Sequence, residues 1–130
     1  LLQPRAEMTG LYGKSFQTKE VIQVEVTRLD DLLAEVPEVS LLKIDAQGSE
    51  RVVLAGAPQT IQKTRWILVE VNFVHHYQSD VLFPELHCLL TEGGFSLANF
   101  SPPFRHDERA LWADALYGRA ATMPAALMPA

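Results

Sequence analysis

The residues with chemistry to offer are an aspartate ending one apolar run, a glutamate inside another, and two adjacent histidines. Asp45 closes "LLKID" and is followed by the turn-forming "AQGSE". Glu70 sits in "LVEVN", where an acid among apolar neighbours must be paired, hydrogen-bonded or carried at a rim. Two carboxyls side by side separate their pKa values, so that one serves as base and the other as orienter. His75 and His76 follow the same run, and a histidine suits the removal of a hydroxyl proton near pH 7. With Asp45 and Glu70 they also have the donor types of an oxygen- and nitrogen-ligated metal site. Adjacent residues of an extended chain point opposite ways, however, which keeps both histidines off one ion.

Each of these residues also has a structural reading. Asp45 is equally a cap or a turn former ahead of a helix beginning after Gly48. Glu50 falls in the first turn of that helix, where a carboxylate is favoured in any case. Glu70 can be tied to neighbouring backbone, and the histidine pair can belong to a surface loop. His87 lies beside a helical leucine stripe and His106 in a charged loop, neither with an evident partner. Cys88 reads as a small core residue, and Trp66 and Trp112 as core or rim packing.

The elements that must position them follow from periodicity. "VIQVEVT", residues 21–27, alternates Ile22, Val24 and Val26 against Gln23 and Glu25, the pattern of a half-buried edge strand. "RLDDLLAEV" has helical spacing, with Asp30 and Asp31 in its first turn, and Pro37 stops it. "SLLKI" is a short apolar run, expected as a strand covered on both faces. A helix over residues 49–64 is interrupted at Gly56 and restarts at Pro58, and "RWILVEV" is the next strand. The helix in "SDVLFPELHCLLTEGG" is expected to be capped by Ser79 or Asp80, to bury Leu82, Leu86, Leu89 and Leu90, and to end at Gly93. "FSLANF" and "DALYGR" read as two closing strands around a loop over residues 101–111.

This order, β-α-β-α-β-α-β-β, predicts an α/β fold with a mostly parallel sheet, right-handed crossovers and an antiparallel C-terminal strand pair. Residues 1–20 are expected as an extended arm, 21–119 as the domain and 120–130 as a frayed tail. Asp45 and Glu70 then stand at carboxyl ends of strands joined by one crossover, where open sheets bind ligands.

Composition narrows the function classes. A formal net charge of −5 argues against binding the nucleic-acid backbone, which needs a basic stripe. No stretch approaches the ~18 apolar residues of a membrane span, and the first residues lack the pattern of a secretory signal. The single cysteine allows no internal disulfide, consistent with a cytoplasmic location. A small-molecule partner is expected. The chain opens on Leu1 rather than Met, which suggests a removed leader or a piece of a longer chain.

"VEVTRLDDLL", then "VSLLKIDAQGSERVVLAGA", then "RWILVEV" together resemble the C-terminal half of FkbM-type methyltransferases. The likeness is close over residues 21–72 and looser through "LLTEGGF" and "DALYGR". It implies an S-adenosylmethionine-dependent enzyme of the doubly wound class, transferring methyl groups to hydroxyls of sugars or natural products. Asp45, Gly48 and Glu50 match the family's strand-end pattern, whereas Gln47 stands where the family more often has Glu. Within the partial doubly wound sheet that the resemblance implies, Asp45, Glu70 and His75 or His76 are the candidates for positioning the acceptor and removing its proton, Asp45 and Gly48 the candidates for meeting the cofactor, and Glu50 and Asn72 those for the substrate.

One half of the pattern is missing. Gly10 and Gly13 in "TGLYGKS" have neither the spacing of the family's glycine-rich turn nor a preceding strand, and the P-loop spacing fails too. Cofactor binding by this chain alone is therefore not expected, and a non-catalytic half-domain serving assembly or binding is the alternative. A metal-assisted hydrolase-like site on the same carboxylates is a third reading. Without a neighbour for the "LLKID" strand, an unpaired apolar edge is left, which predicts a homo-oligomer.

Overall fold

The computed structural model describes residues 3–13 and 18–119. The expected frayed tail, residues 120–130, lies outside the described residues. In chain order the elements are α1 (Ala6–Tyr12), α2 (Leu29–Leu32), β1 (Val39–Ile44), α3 (Glu50–Ala55), α4 (Pro58–Gln62), β2 (Thr64–Asn72), α5 (Phe83–Glu92), β3 (Phe95–Phe100), β4 (Phe104–His106) and β5 (Arg109–Arg119).

The sheet runs β1-β2-β5-β3, with β4 also paired to β5. Only β1 and β2 pair in parallel; β5 is antiparallel to β2, β3 and β4. The α/β class holds, but by its ladders the sheet is mixed and mostly antiparallel, not mostly parallel. The reason is the position of β5. The last strand returns into the sheet instead of adding to its edge, so it reverses both ladders it joins. Since β2 and β3 both oppose β5, they run in the same direction as each other and as β1.

The two faces of the sheet differ. Ile67, Val69, Val71, Ala113, Ala115 and Tyr117 are at most 1% exposed and pack with Leu54, Leu86, Leu90 and Phe95 into the core. Burying apolar side chains is worth about 1.5–3 kcal/mol each, so this layer carries the fold. The opposite face, with Trp66, Leu68, Glu70, Trp112, Asp114 and Leu116, is only half-buried.

Several expectations are corrected. Residues 18–28 form no strand, and Ile22, Val24 and Val26 are exposed, because the segment pairs with none of the described strands. β1 is a sheet edge with Leu41 exposed, rather than a strand covered on both faces. The arm is not wholly extended: α1 interrupts it, and Arg5 N–H donates to the His76 carbonyl at 2.9 Å while Gln78 N–H donates to that of Gln3 at 2.8 Å. α2 closes after one turn. The break between α3 and α4 falls at Gly56, and α4 restarts with Pro58 in its first turn, both as expected.

α5 begins later than expected. Leu82, not Ser79 or Asp80, occupies its N-cap, with Pro84 in the first turn. Leu89 faces out, Cys88 is exposed, and the left-handed residue after the helix is Gly94 (φ 84°), not Gly93. β4 and the start of β5 form a hairpin within the expected loop. Among the described residues no helix is long and apolar enough to cross a membrane.

Candidate functional site

The parallel register sets Ile44 beside Val69, so the next residues outward, Asp45 and Glu70, follow side by side. On the other side of β2, Glu70 faces Asp114 of β5 directly. Three carboxyls thus meet on the half-buried face, at the carboxyl ends of β1 and β2. Asp45 is held by Lys43 Nζ at 3.0 Å and by Gln47 Nε2 at 2.7 Å. Glu70 responds most strongly. Burial first, then the charges of Asp45, Glu50 and Asp114, push its carboxyl up to about 7, against a smaller opposing pull from Lys43.

Glu50 faces inward. Its side chain is 1% exposed, and Oε1 accepts from the backbone N–H groups of Ala46 (3.0 Å) and Gly48 (3.1 Å). It therefore fixes the turn after β1, in which Gln47 (φ 51°) and Gly48 (φ 92°) take left-handed conformations. Oε2 is buried with no hydrogen-bond partner among the described residues. Asn72, at the end of β2, is also buried, opposite Trp112.

The loop after β2 separates the two histidines, as alternation requires. His76 is buried, with its Nδ1–H donating to the Val74 carbonyl at 2.9 Å. That leaves Nε2 as the acceptor for the Tyr12 hydroxyl at 3.0 Å. Burial lowers its pKa. His75 is half-exposed and donates through Nδ1 to Asp80 Oδ1 at 2.5 Å. The Asp80 side chain is fully buried, and its Oδ2 accepts from His76 N–H (2.9 Å) and Tyr77 N–H (3.2 Å).

Tyr77 links the loop to the acids. Its hydroxyl donates to Gln47 Oε1, and its pKa is pushed up to about 12 by burial and by Glu70, Glu50, Asp45 and Asp80. Tyr12 comes from α1 and stacks on Phe104, which stacks on Trp112. Beyond the carboxyl end of β2, a cavity of about 690 Å³ opens between α1 and the β4–β5 hairpin, lined by Met8, Leu11, Val74, Arg109 and Leu111 among others.

Asp45, Glu70, His75 and His76 thus lie around one strand-end region, with Gly48 and Glu50 in the turn beneath it. No group of three or more His, Cys, Asp or Glu among the described residues is close enough to hold a metal ion. Tyr77, Asp80 and Asp114 were missed by sequence reasoning. The alternation of "WADAL" marks Asp114 as an acid in an apolar strand, but only the β2–β5 register opposes it to Glu70. His87, expected without a partner, accepts or donates at Nδ1 with the Tyr117 hydroxyl at 2.9 Å.

The family model described as the methyltransferase FkbM domain matches residues 4–97. The chain belongs to the FkbM methyltransferase family. Among curated relatives, "Methyltransferase 1" of Beauveria bassiana is 35% identical over 98 residues, which is 70% of this chain and 38% of that protein. The 2-O-methyltransferase NoeI of Sinorhizobium fredii is 37% identical over 62 residues, 46% of this chain and 26% of its own length. The 31-O-demethyl-FK506 methyltransferase FkbM of Streptomyces tacrolimicus is 33% identical over 88 residues, 66% of this chain and 32% of its own. The chain therefore spans between 26% and 38% of the length of these relatives. No solved structure matches it.

Proposed function

We propose that this FkbM domain supplies the acceptor side of an S-adenosylmethionine-dependent O-methyltransferase acting on a hydroxyl of a small molecule, a sugar or natural product. Two relatives whose names specify O-methyl transfer support the reaction class. The observation that carries the reading is the Glu70 carboxyl, poised at about 7 beside Asp45 and Asp114 at the strand ends. A carboxyl that titrates near neutrality can hold an acceptor hydroxyl in either hydrogen-bonding sense. A cavity in the usual size range for a small-molecule site lies beyond the end of β2, lined by Met8, Leu11, Val74 and Leu111 together with the charged Glu7, Asp107, Glu108 and Arg109.

The described residues do not by themselves fit the cofactor. The N–H groups of Ala46 and Gly48, in the turn from β1 into α3, already donate to Glu50 and leave no backbone cradle there. The acids suit the positive charge of a sulfonium, but charge alone does not hold the nucleoside. The test is NMR titration with a panel of methyl glycosides. Signals of Glu70, Asn72 and Val74 should shift saturably, and Glu70→Gln should weaken the effect. A panel that leaves those signals unmoved refutes the reading. Calorimetry with S-adenosylmethionine forms a separate arm, in which binding at millimolar ligand would show that the chain holds the cofactor alone.

A second reading, assembly of copies, is favoured by the β1 edge and the exposed Val21, Ile22, Val24 and Val26. An alternating segment without a ladder and an edge without a neighbour satisfy each other when one copy's residues 21–27 add to another's β1. Light scattering at tens of micromolar should then give a mass above the monomer, reduced by Val24→Lys. A monomer excludes this arrangement.

A further inference from the structure

We infer that His75 is the base that takes the acceptor hydroxyl's proton, and that Asp80 is the positioning residue that makes it one. The inference rests on the acceptor-side reading above. Of the two histidines, His76 has both ring nitrogens engaged, Nδ1–H on the Val74 carbonyl and Nε2 on the Tyr12 hydroxyl, inside the fold. A ring held in this way has no lone pair to present to a substrate. His75 has the opposite arrangement. Its Nδ1–H is donated to Asp80, and among the described residues no other hydrogen-bond partner of the ring is found.

Asp80 is built for the task of orienting. Its side chain is fully buried, and Oδ2 is fixed by two backbone N–H groups, so Oδ1 stands at a set position against His75. A carboxylate accepting at Nδ1 selects the tautomer with its lone pair on Nε2, which is the base form. The half-exposed ring directs that nitrogen away from the buried Asp80. The dyad is tied to the acid cluster through Tyr77, whose N–H donates to Asp80 Oδ2 and whose hydroxyl donates to Gln47, itself donating to Asp45. In the step itself one proton passes from the hydroxyl oxygen to Nε2. The bonding electrons stay on oxygen, and the imidazolium is neutralised by Asp80. Glu70 orients the hydroxyl, and the exposed edge of His75 returns the proton to water.

Long-range ¹H–¹⁵N NMR on the full chain tests the assignment without any methyl donor. His75 should appear with its proton on Nδ1, and Asp80→Asn should abolish that preference. In a His106→Gln background, which removes the other exposed histidine, diethyl pyrocarbonate should acylate His75 in a fast phase and His76 slowly, with the fast phase lost on adding His75→Gln and reduced on adding Asp80→Asn. A purely structural role for Asp80 leaves tautomer and rate unchanged in any folded variant. Asp80→Asn retains a carbonyl oxygen for the two N–H groups, and His75→Gln leaves Asp80 intact should the first variant fail to fold. A proton on Nε2 of the unmodified chain, or a fast phase that survives His75→Gln, overturns the inference. Methyl glycosides that shift Glu70 and Asn72 but not the His75 ring overturn it too, while leaving the acceptor-side reading in place. Glycosides that shift none of them refute that reading instead.

Discussion

Replacing Glu70 by Gln should change how stability depends on pH, in a direction fixed by the carboxyl's neighbours. The group titrates near 4.5 in an unfolded chain and at about 7 in the folded one, because burial and the charges of Asp45, Glu50 and Asp114 oppose ionisation. Folding therefore favours the protonated form. Below pH 4.5 both states hold the proton and the residue is neutral in its effect. Between pH 4.5 and 7 the unfolded state sheds the proton more readily, so stability falls as pH rises, and above 7 the loss is complete. Each pKa unit corresponds to ~1.4 kcal/mol, which puts the unscreened loss at roughly 3 kcal/mol. Glu70 is only half-buried, and solvent screening reduces this to about 1–2 kcal/mol. Urea denaturation followed by circular dichroism at several pH values reads it directly. Glu70→Gln should match the unmodified chain at pH 4.5 and exceed it by about 1–2 kcal/mol at pH 8. The difference between the two proteins cancels other titrations, including that of His76, whose lowered pKa works in the opposite sense. Parallel curves across the range, or a variant that loses stability at pH 8, would refute the reasoning.

Other substitutions probe the frame around the site. Glu50→Ala removes the acceptor for both Ala46 and Gly48 N–H and should cost roughly 3 kcal/mol or more, measured by thermal melting. Glu50→Gln keeps one acceptor oxygen and removes a charge, so the Glu70 midpoint, read by ¹³C NMR, should move down. Gly118 lies opposite Trp66, and a Cβ there would stand 2.5 Å from the ring atom Cζ3. Gly118→Ala should therefore cost about 1–3 kcal/mol and alter the tryptophan fluorescence. Tyr117→Phe removes the hydroxyl paired with His87 while keeping the buried ring, for a loss of about 1 kcal/mol in urea.

Much of this site was legible from local pattern because its main parts are local. "LLKID" and "LVEVN" each carry their acid at the end of an apolar run, and a short crossover brings consecutive strands together. Gly56 and Pro58 mark the helix break for backbone reasons that need no tertiary partner. What escaped depends on distant segments. Residues 21–27 have the alternation of a strand, but a strand exists only where a ladder is made, and within the chain this segment pairs with none of the described strands. The antiparallel pairing of β5 with β3 follows, as expected, from two closing strands with no helix between them, but nothing in "DALYGR" announces that β5 also inserts beside β2. Asp80 was read as a helix cap because Asp before a leucine-rich helix usually is one. The proline at α5's start let that helix begin at Phe83 instead, and freed the Asp80 carboxylate for His75 and two backbone amides.

The location of unfavourable electrostatics supports a site over a scaffold. Asp30 shows what a structural carboxylate does in this fold. It accepts from Gln59 N–H, Thr60 N–H and the Thr60 hydroxyl at the start of α4, and its pKa is held below the usual value. Glu70 is treated in the opposite way. Across from it stands another acid, Asp114, where a cross-strand lysine or arginine would have relieved the repulsion. Lys43 goes to Asp45 and lowers the Glu70 pKa only slightly against burial and three negative charges. Like charges facing each other across a ladder lower stability, and a sheet centre has no structural use for them. They gather at the strand ends, just ahead of the loop in which Asp80 orients the His75 ring, which is where a perturbed carboxyl marks a site more often than a scaffold.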